Sequence, residues 1–140
     1  NCRTPMQWDT TANAGFTSPT AKPWLAVSKN YPQVNVETEL ADENSILNTY
    51  REILKLRNDH SAFQEGSLEI VADYKEYPDL LVFRRYAGGK SLTVFLNFGS
   101  EKIEIKLPVT QKIIFALTGA RITSDSKLEL AAYSGIVLGL

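Results

Sequence analysis

The chain has 140 residues, 44% of them apolar and 22% charged, enough for one soluble domain whose core needs no staples. Fifteen Lys and Arg against sixteen Asp and Glu leave a net charge of −1, which gives no electrostatic basis for binding nucleic acid or an acidic membrane. One cysteine, Cys2, and one histidine, His60, exclude an intrachain disulfide framework and a Cys/His zinc cluster. No apolar run reaches membrane-spanning length, and no charged stretch leads into an apolar one as a signal peptide would. The chain opens Asn1-Cys2-Arg3 and its one methionine is Met6, so it is expected to be a piece of something longer.

Residues 1–43 carry no sustained period of 3.6 or 2. Four of the six prolines fall here, Pro5, Pro19, Pro23 and Pro32, and so do both tryptophans, Trp8 and Trp24. The run Gln33-Val34-Asn35-Val36 alternates and is expected to be a small extended piece. A segment holding Met6, Trp8, Phe16, Trp24, Leu25 and Tyr31 is too aromatic for a disordered linker. These side chains are expected to pack on a surface that this chain does not supply.

Residues 44–59 are expected to be a helix. Asp42-Glu43-Asn44-Ser45 offers cap residues and negative charge at its start, and Lys55 and Arg57 place cations in its last turn. Ile46, Leu47, Tyr50, Ile53 and Leu54 form an apolar stripe at helical spacing. Asn58-Asp59-His60-Ser61 stops it.

From residue 66 onward the pattern is that of β-structure. Strands are expected at 67–73, 80–86, 91–98, 101–107, 111–117, 127–131 and 136–140. Ala87-Gly88-Gly89-Lys90 is a hairpin signal between the second and third. Ile103, Ile105 and Leu107 alternate with Lys102, Glu104 and Lys106, and Pro108 ends that strand. Seven short strands separated by turn signals predict an antiparallel sandwich. The fold class is therefore mainly β, an antiparallel β-sandwich preceded by one helix and a long irregular loop.

A catalytic site is hard to assemble from this inventory. Glycoside chemistry needs two carboxylates facing across a cleft. Glu52, Glu69, Glu101 and Glu104 sit on polar faces and are expected to be solvated. His60 stands alone at a helix end, where a cation suits the helix dipole, and Cys2 has only Arg3 nearby to lower its pKa. Gly88-Gly89 is a turn rather than a phosphate loop, because no helix follows. The exception is Arg3-Thr4-Pro5-Met6-Gln7-Trp8-Asp9, which gathers a guanidinium, an amide, an indole and a carboxylate in non-periodic chain. Sugars are read by such groups, charged forks for hydroxyl pairs and aromatic faces for ring C–H. The same residues also allow a plain structural reading, in which Arg3 pairs with Asp9 and Trp8 is core. Trp24 is expected to be a packing residue rather than a sugar platform.

These residues resemble a known family. Arg3-Thr4-Pro5-Met6-Gln7-Trp8-Asp9, Asn13-Ala14-Gly15-Phe16-Thr17, Pro23-Trp24-Leu25, Asn30-Tyr31 and Val34-Asn35-Val36 are similar, in order and spacing, to the C-terminal third of α-glucosidases of the oligo-1,6-glucosidase and trehalose-6-phosphate hydrolase type in the α-amylase superfamily. The likeness continues through Ser45-Ile46-Leu47, Tyr50, Leu54 and Leu56-Arg57, and through Val94-Phe95-Leu96-Asn97-Phe98, so it covers essentially the whole chain. It implies the last unit of a (β/α)8 barrel enzyme. Residues 1–60 would then be a barrel remnant, the loop after the eighth strand plus the last barrel helix 44–59, and 61–140 the C-terminal antiparallel sandwich. The family's nucleophile Asp, acid/base Glu and stabilising Asp all lie upstream, so no catalytic residue maps here. Arg3 matches the family arginine that reaches the glucose in the −1 subsite and pairs with a barrel aspartate. Gln7, Trp8 and Asp9 would line or support the same pocket wall. Cys2 departs from the Ala or Ser common before that arginine.

The resemblance implies a retaining glycoside hydrolase of the bacterial cytoplasm acting on α-glucoside oligosaccharides through the upstream barrel, with no metal, no cofactor, no nucleic acid and no membrane partner, and with this chain inactive alone. Two other functions fit the same residues. Non-catalytic heavy subunits of amino-acid transporters retain the Arg to Asp block. The sandwich could also act alone as a carbohydrate-binding module, although Tyr74, Tyr77 and Tyr86 are scattered and Phe95 and Phe98 are expected in the core.

Overall fold

The computed structural model describes residues 3–109 and 111–139. It contains two compact units, Asn1–Ile53 and Leu54–Leu140, and the division falls inside a helix.

The first unit is mostly irregular chain, with a short 3₁₀ turn at Ala12–Gly15 and a helix α1 over Val36–Ala41. The extended piece expected at residues 33–36 is absent. Gln33 and Val34 donate instead to the Asn30 carbonyl, turning the chain, and Asn35 caps α1. Its Oδ1 accepts from the Thr38 amide at 2.8 Å, and its Nδ2 donates to the Tyr31 carbonyl at 2.8 Å. Glu37 and Glu39 in the first turn suit the helix dipole.

Helix α2 runs over Ile46–Asp59, close to the expected 44–59. The Ser45 hydroxyl accepts from the Asn48 amide at 3.1 Å and donates to the Glu39 carbonyl at 2.7 Å. Asn48 Nδ2 lies within 3.3 Å of the carbonyls of Glu39, Leu40 and Asp42, the donorless end of α1. One side chain thus terminates a helix while standing in the first turn of the next. The apolar stripe of α2 is left exposed at Ile46, Tyr50, Ile53 and Leu54, and Ile46 is 81% exposed.

In the second unit a one-turn helix α3, Ser61–Gln64, precedes eight strands among the described residues: β1 (Ser67–Ile70), β2 (Leu80–Ala87), β3 (Lys90–Asn97), β4 (Ile103–Lys106), β5 (Lys112–Ala116), β6 (Ala120–Ile122), β7 (Lys127–Leu130) and β8 (Gly135–Gly139). All pair antiparallel, as a five-stranded sheet β1-β2-β3-β8-β5 and a three-stranded sheet β4-β7-β6. Seven of the strands lie where alternation predicts them. The eighth, β6, is only Ala120-Arg121-Ile122, too short to show a period. Gly88 and Gly89, both at positive φ, join β2 to β3 with Ala87 opposite Lys90.

Val82, Phe95, Ile136 and Leu138 of the larger sheet meet Ile103, Ile105, Leu128 and Leu130 of the smaller one in a single core. Tyr74 packs edge-on against Phe95 at 5.6 Å between ring centres. A second cluster lies on the other face of the larger sheet, where Leu92, Val94 and Val137 meet Ala62 and the partly buried Leu56 and Phe63. Strand β8 is buried along its whole length because both of its faces are covered. Arg85 ties α3 to the sheet by donating to the carbonyls of Ala62 and Gly66 at 3.0 and 2.8 Å. A Cβ on Gly66 would stand 2.4 Å from the Ala62 oxygen and 2.5 Å from the Tyr86 oxygen, so only glycine admits this approach.

The two sheets are joined at one end by Asn97, which is buried. Its Nδ2 donates to the carbonyls of Glu101 and Ala131, both at 2.8 Å, and its Oδ1 accepts from the Gly99 amide at 2.9 Å. Elsewhere Glu104 stands directly opposite Glu129 across β4 and β7, a like-charge pair that would repel. Lys102 offsets this by reaching Glu104 at 2.7 Å and Glu129 at 3.3 Å, and Arg121 grips Glu129 at 2.6 Å. Desolvation works to raise the Glu129 carboxyl pKa, but the bonds and charges of Arg121 and Lys102 outweigh it and hold the group below its ordinary 4.5.

Replacing Asn97 by Ala would leave the Glu101 carbonyl and the Gly99 amide without this partner and the Ala131 carbonyl with only the Ser134 hydroxyl, and urea unfolding of the chain is expected to register a loss of about 3 kcal/mol. The Glu129 contribution has a definite sign. A carboxyl depressed in the folded state stabilises fully above its unfolded pKa, and that gain disappears as pH falls through the folded value. Glu129→Gln is therefore expected to flatten the loss of stability below about pH 4.5, measured as thermal midpoint against pH.

Candidate functional site

The site is built from the Arg3 to Asp9 block and the loops that hold it, all within the first unit. The backbone of Gln7 and Trp8 is fastened to α1, because their carbonyls accept from the amides of Val36 and Glu37 at 3.0 and 2.9 Å. Trp8 in turn donates its amide to the Ala14 carbonyl at 2.9 Å. The block is thus anchored to the 3₁₀ turn on one side and to a helix N-terminus on the other.

Its side chains divide by role. The Gln7 amide donates to the Val34 carbonyl and to Asn30 Oδ1, which closes the loop before α1. Asp9 Oδ1 accepts from the Thr11 amide at 2.8 Å and the Thr11 hydroxyl at 2.5 Å. The hydroxyl bond and then the amide bond hold the Asp9 carboxyl below its ordinary 3.8, so it is a carboxylate at neutral pH. Gly15, at positive φ, lies against this carboxylate, and a Cβ there would meet Asp9 Oδ2 at 2.4 Å. Trp8 is about half exposed.

Arg3 behaves differently. No ion pair joins it to Asp9 among the described residues; its guanidinium carbon lies 4.2 Å over the centre of the Trp24 ring. Trp24, expected to pack on a surface that this chain does not supply, is 77% exposed. Sequence reasoning missed this partnership because neither residue lies in a periodic element, and 21 positions of loop separate them. Trp24 is carried by a loop that Asn13 pins, with its amide nitrogen on the carbonyls of Ser18 and Ala21 at 2.8 and 3.0 Å. Asn13 is left-handed, a conformation asparagine tolerates better than most, and that preference was the available signal. A cleft of about 450 Å³ lies here, with Asn13, Lys22, Trp24 and Tyr31 among its lining residues.

The other candidates scatter. His60 sits between α2 and α3 with its ring edge-on to Phe63. Cys2 lies outside the described residues. Glu69 bonds the Tyr86 hydroxyl and stands 3.8 Å from Arg84. Phe95 is core as expected, but Phe98 is 63% exposed, because the chain turns at Gly99 as it passes from the larger sheet to the smaller one. Among the described residues no group of three or more His, Cys, Asp or Glu is placed to hold a metal ion, and no helix is long and apolar enough to cross a membrane.

Residues 1–66 match the alpha-amylase catalytic-domain family. The chain is 37% identical over 108 residues to an oligo-1,6-glucosidase of Halalkalibacterium halodurans and, to the same degree, to a trehalose-6-phosphate hydrolase of Bacillus subtilis. Each alignment covers 77% of this chain but 18% of the relative, so the chain spans less than a fifth of their length. The trehalulose synthase of Pseudomonas mesoacidophila MX-45 superposes on 99% of the chain with a TM-score of 0.81 at 30% identity, using 25% of its own length. An Arg3 to Asp9 block fastened by its own glutamine and aspartate, a following helix and an antiparallel sandwich agree with those matches, and the chain belongs to the alpha-amylase superfamily.

Proposed function

We propose that the chain is the closing portion of a retaining α-glucosidase that removes terminal glucosyl units from short oligosaccharides in the bacterial cytoplasm. Residues 1–60 would complete the barrel and 61–140 form the appended sandwich. The observation that carries this reading is the division of labour in the first block. Gln7 and Asp9 spend their polar groups on the loop, while Arg3 is held by an aromatic face and, among the described residues, pairs with no carboxylate. A guanidinium presented in that way suits sugar hydroxyls and a carboxylate supplied by the barrel. Trp8 supports the same wall. The names of the relatives support glucosidic bonds as the substrate class.

Chemistry in such an enzyme would start at an upstream Asp, which attacks the anomeric carbon and forms a glycosyl-enzyme. An upstream Glu protonates the leaving oxygen and then deprotonates the water that releases the sugar. This chain would contribute binding of the glucosyl unit at Arg3 and the rigidity of the loop that holds it.

The complete protein is expected to hydrolyse α-glucosyl disaccharides, and Arg3→Ala is expected to lower kcat/KM by the equivalent of about 2–4 kcal/mol, as for loss of a charged hydrogen-bonding group. Near-normal kinetics in that variant would remove the role assigned to Arg3. The 140-residue chain alone is expected to show no turnover in the same assay. Measurable hydrolysis by it would place catalytic carboxylates on this chain and overturn the reading.

A further inference from the structure

The turn at Ala12–Gly15 is left-handed over its last three residues, with φ at 58° for Asn13, 53° for Ala14 and 66° for Gly15. L-residues enter this region singly, at glycine or asparagine, because a Cβ crowds the following carbonyl. Ala14 has neither glycine's freedom nor a side chain that bonds locally, and it is completely buried. A strained backbone of this kind persists only where its surroundings over-determine it, and such places cluster at functional sites.

The surroundings here are the Arg3 to Asp9 block itself. The Ala14 carbonyl accepts the amides of Trp8 at 2.9 Å and Asp9 at 3.4 Å, and the Ala14 amide donates to the Thr11 carbonyl at 2.9 Å. The Thr11 amide and hydroxyl both donate to Asp9 Oδ1, so residues 8, 9, 11 and 14 share one closed set of hydrogen bonds. Gly15 lies against the other oxygen of that carboxylate. Reversing the hand of the turn would re-aim the Ala14 carbonyl and break the set. Trp8 is held on its other side too, since its carbonyl accepts from the Glu37 amide. Between Trp8 and Arg3 stands Pro5, which is buried and whose ring fixes its φ. All of these partners belong to the first unit.

We propose that the left-handed turn Asn13–Gly15 is the positioning element of the Arg3 block, with Gly15 admitting the Asp9 carboxylate so that the turn sets where the chain presents Arg3. The proposal rests on the α-glucosidase reading, in which Arg3 binds the glucosyl unit, and adds to it the residues that place Arg3. These residues act through the backbone of Trp8 and Asp9 rather than on the sugar.

The test is a double-mutant cycle in the complete enzyme. kcat/KM is measured on whichever of isomaltose, maltose and trehalose 6-phosphate is turned over fastest, for the unsubstituted enzyme, Gly15→Ala, Arg3→Ala and the two together. A Cβ at Gly15 would lie 2.4 Å from Asp9 Oδ2, so Gly15→Ala forces the carboxylate aside by about 1 Å. A displacement of that size is expected to lower kcat/KM by at least about tenfold while Arg3 is present. In the Arg3→Ala background the same substitution is expected to cost less than about threefold, because the group it misplaces is gone. Equal losses in both backgrounds would mean that the turn serves the fold or another residue. A loss below about threefold with Arg3 present would mean that the turn does not place it. Either result overturns the proposal and leaves the α-glucosidase reading standing. Thr11→Val, at an exposed position, removes the hydroxyl bond to Asp9 and adds no atom beside it. If Gly15→Ala fails to fold, the same cycle with Thr11→Val decides: a loss of about threefold confined to the enzyme that keeps Arg3 supports the proposal, and any other result overturns it. Near-normal kinetics in Arg3→Ala, or an unsubstituted enzyme inactive on all three sugars, would overturn the underlying reading and the proposal with it.

Discussion

Side-chain amides that take over backbone hydrogen bonds hold this chain together wherever regular structure ends. A carbonyl or amide removed from water without a partner costs more than any single apolar contact returns, so each loop in a chain this irregular must find partners for its backbone. Asparagine is suited to the task because one planar group carries two donors and an acceptor. Asn35 opens α1, Asn48 closes it, Asn13 pins the loop before Trp24 and Asn97 joins the two sheets. Aspartate could replace none of the donor bonds, since an ionised carboxylate only accepts. The two units are therefore built differently in their cores but fastened at their corners by the same chemistry.

This explains which parts of the fold were legible in the residues and which were not. Period-two alternation marked β4 because its Ile103 and Ile105 face the core while Glu104 and Lys106 face water. The paired glycines marked the β2–β3 turn because only a left-handed pair fits there. Helix α2 was legible from its stripe and caps. Helix α1 was not, because alternation at residues 33–36 imitates a strand; the better signal was an asparagine followed by Glu37 and Glu39, a cap with charge suited to a helix start. Phe98 misled in the opposite direction. It continues the apolar run of β3, but Asn97 bends the chain one residue earlier and turns Phe98 outward.

The candidate site was legible as a composition and not as a geometry. A guanidinium, an amide, an indole and a carboxylate within seven residues pointed to sugar recognition, yet the same types could equally have been structural. The structural reading holds for two of them. Gln7 and Asp9 are the structural ones, and their partners Val34 and Thr11 could not be read from spacing because loop closure follows no period. Arg3 instead stacks on Trp24, a contact between positions that only the folded loop brings together.

The rigidity of that loop bears directly on what a sugar site requires. Sugar hydroxyls are solvated as well by water as by most side chains, so a binding group contributes affinity chiefly when its position is fixed in advance. A loop of more than thirty residues is ordinarily a poor place for such a group. Here the backbone of Gln7 and Trp8 is tied to the start of α1, the end of α1 is tied through Asn48 and Ser45 to the start of α2, and the Trp24 loop is tied through Asn13 to the 3₁₀ turn. Each tie uses a polar side chain that a mobile loop would leave in water. A chain that commits so many side chains to immobilising a segment with exposed aromatic residues has given up flexibility in exchange for placement.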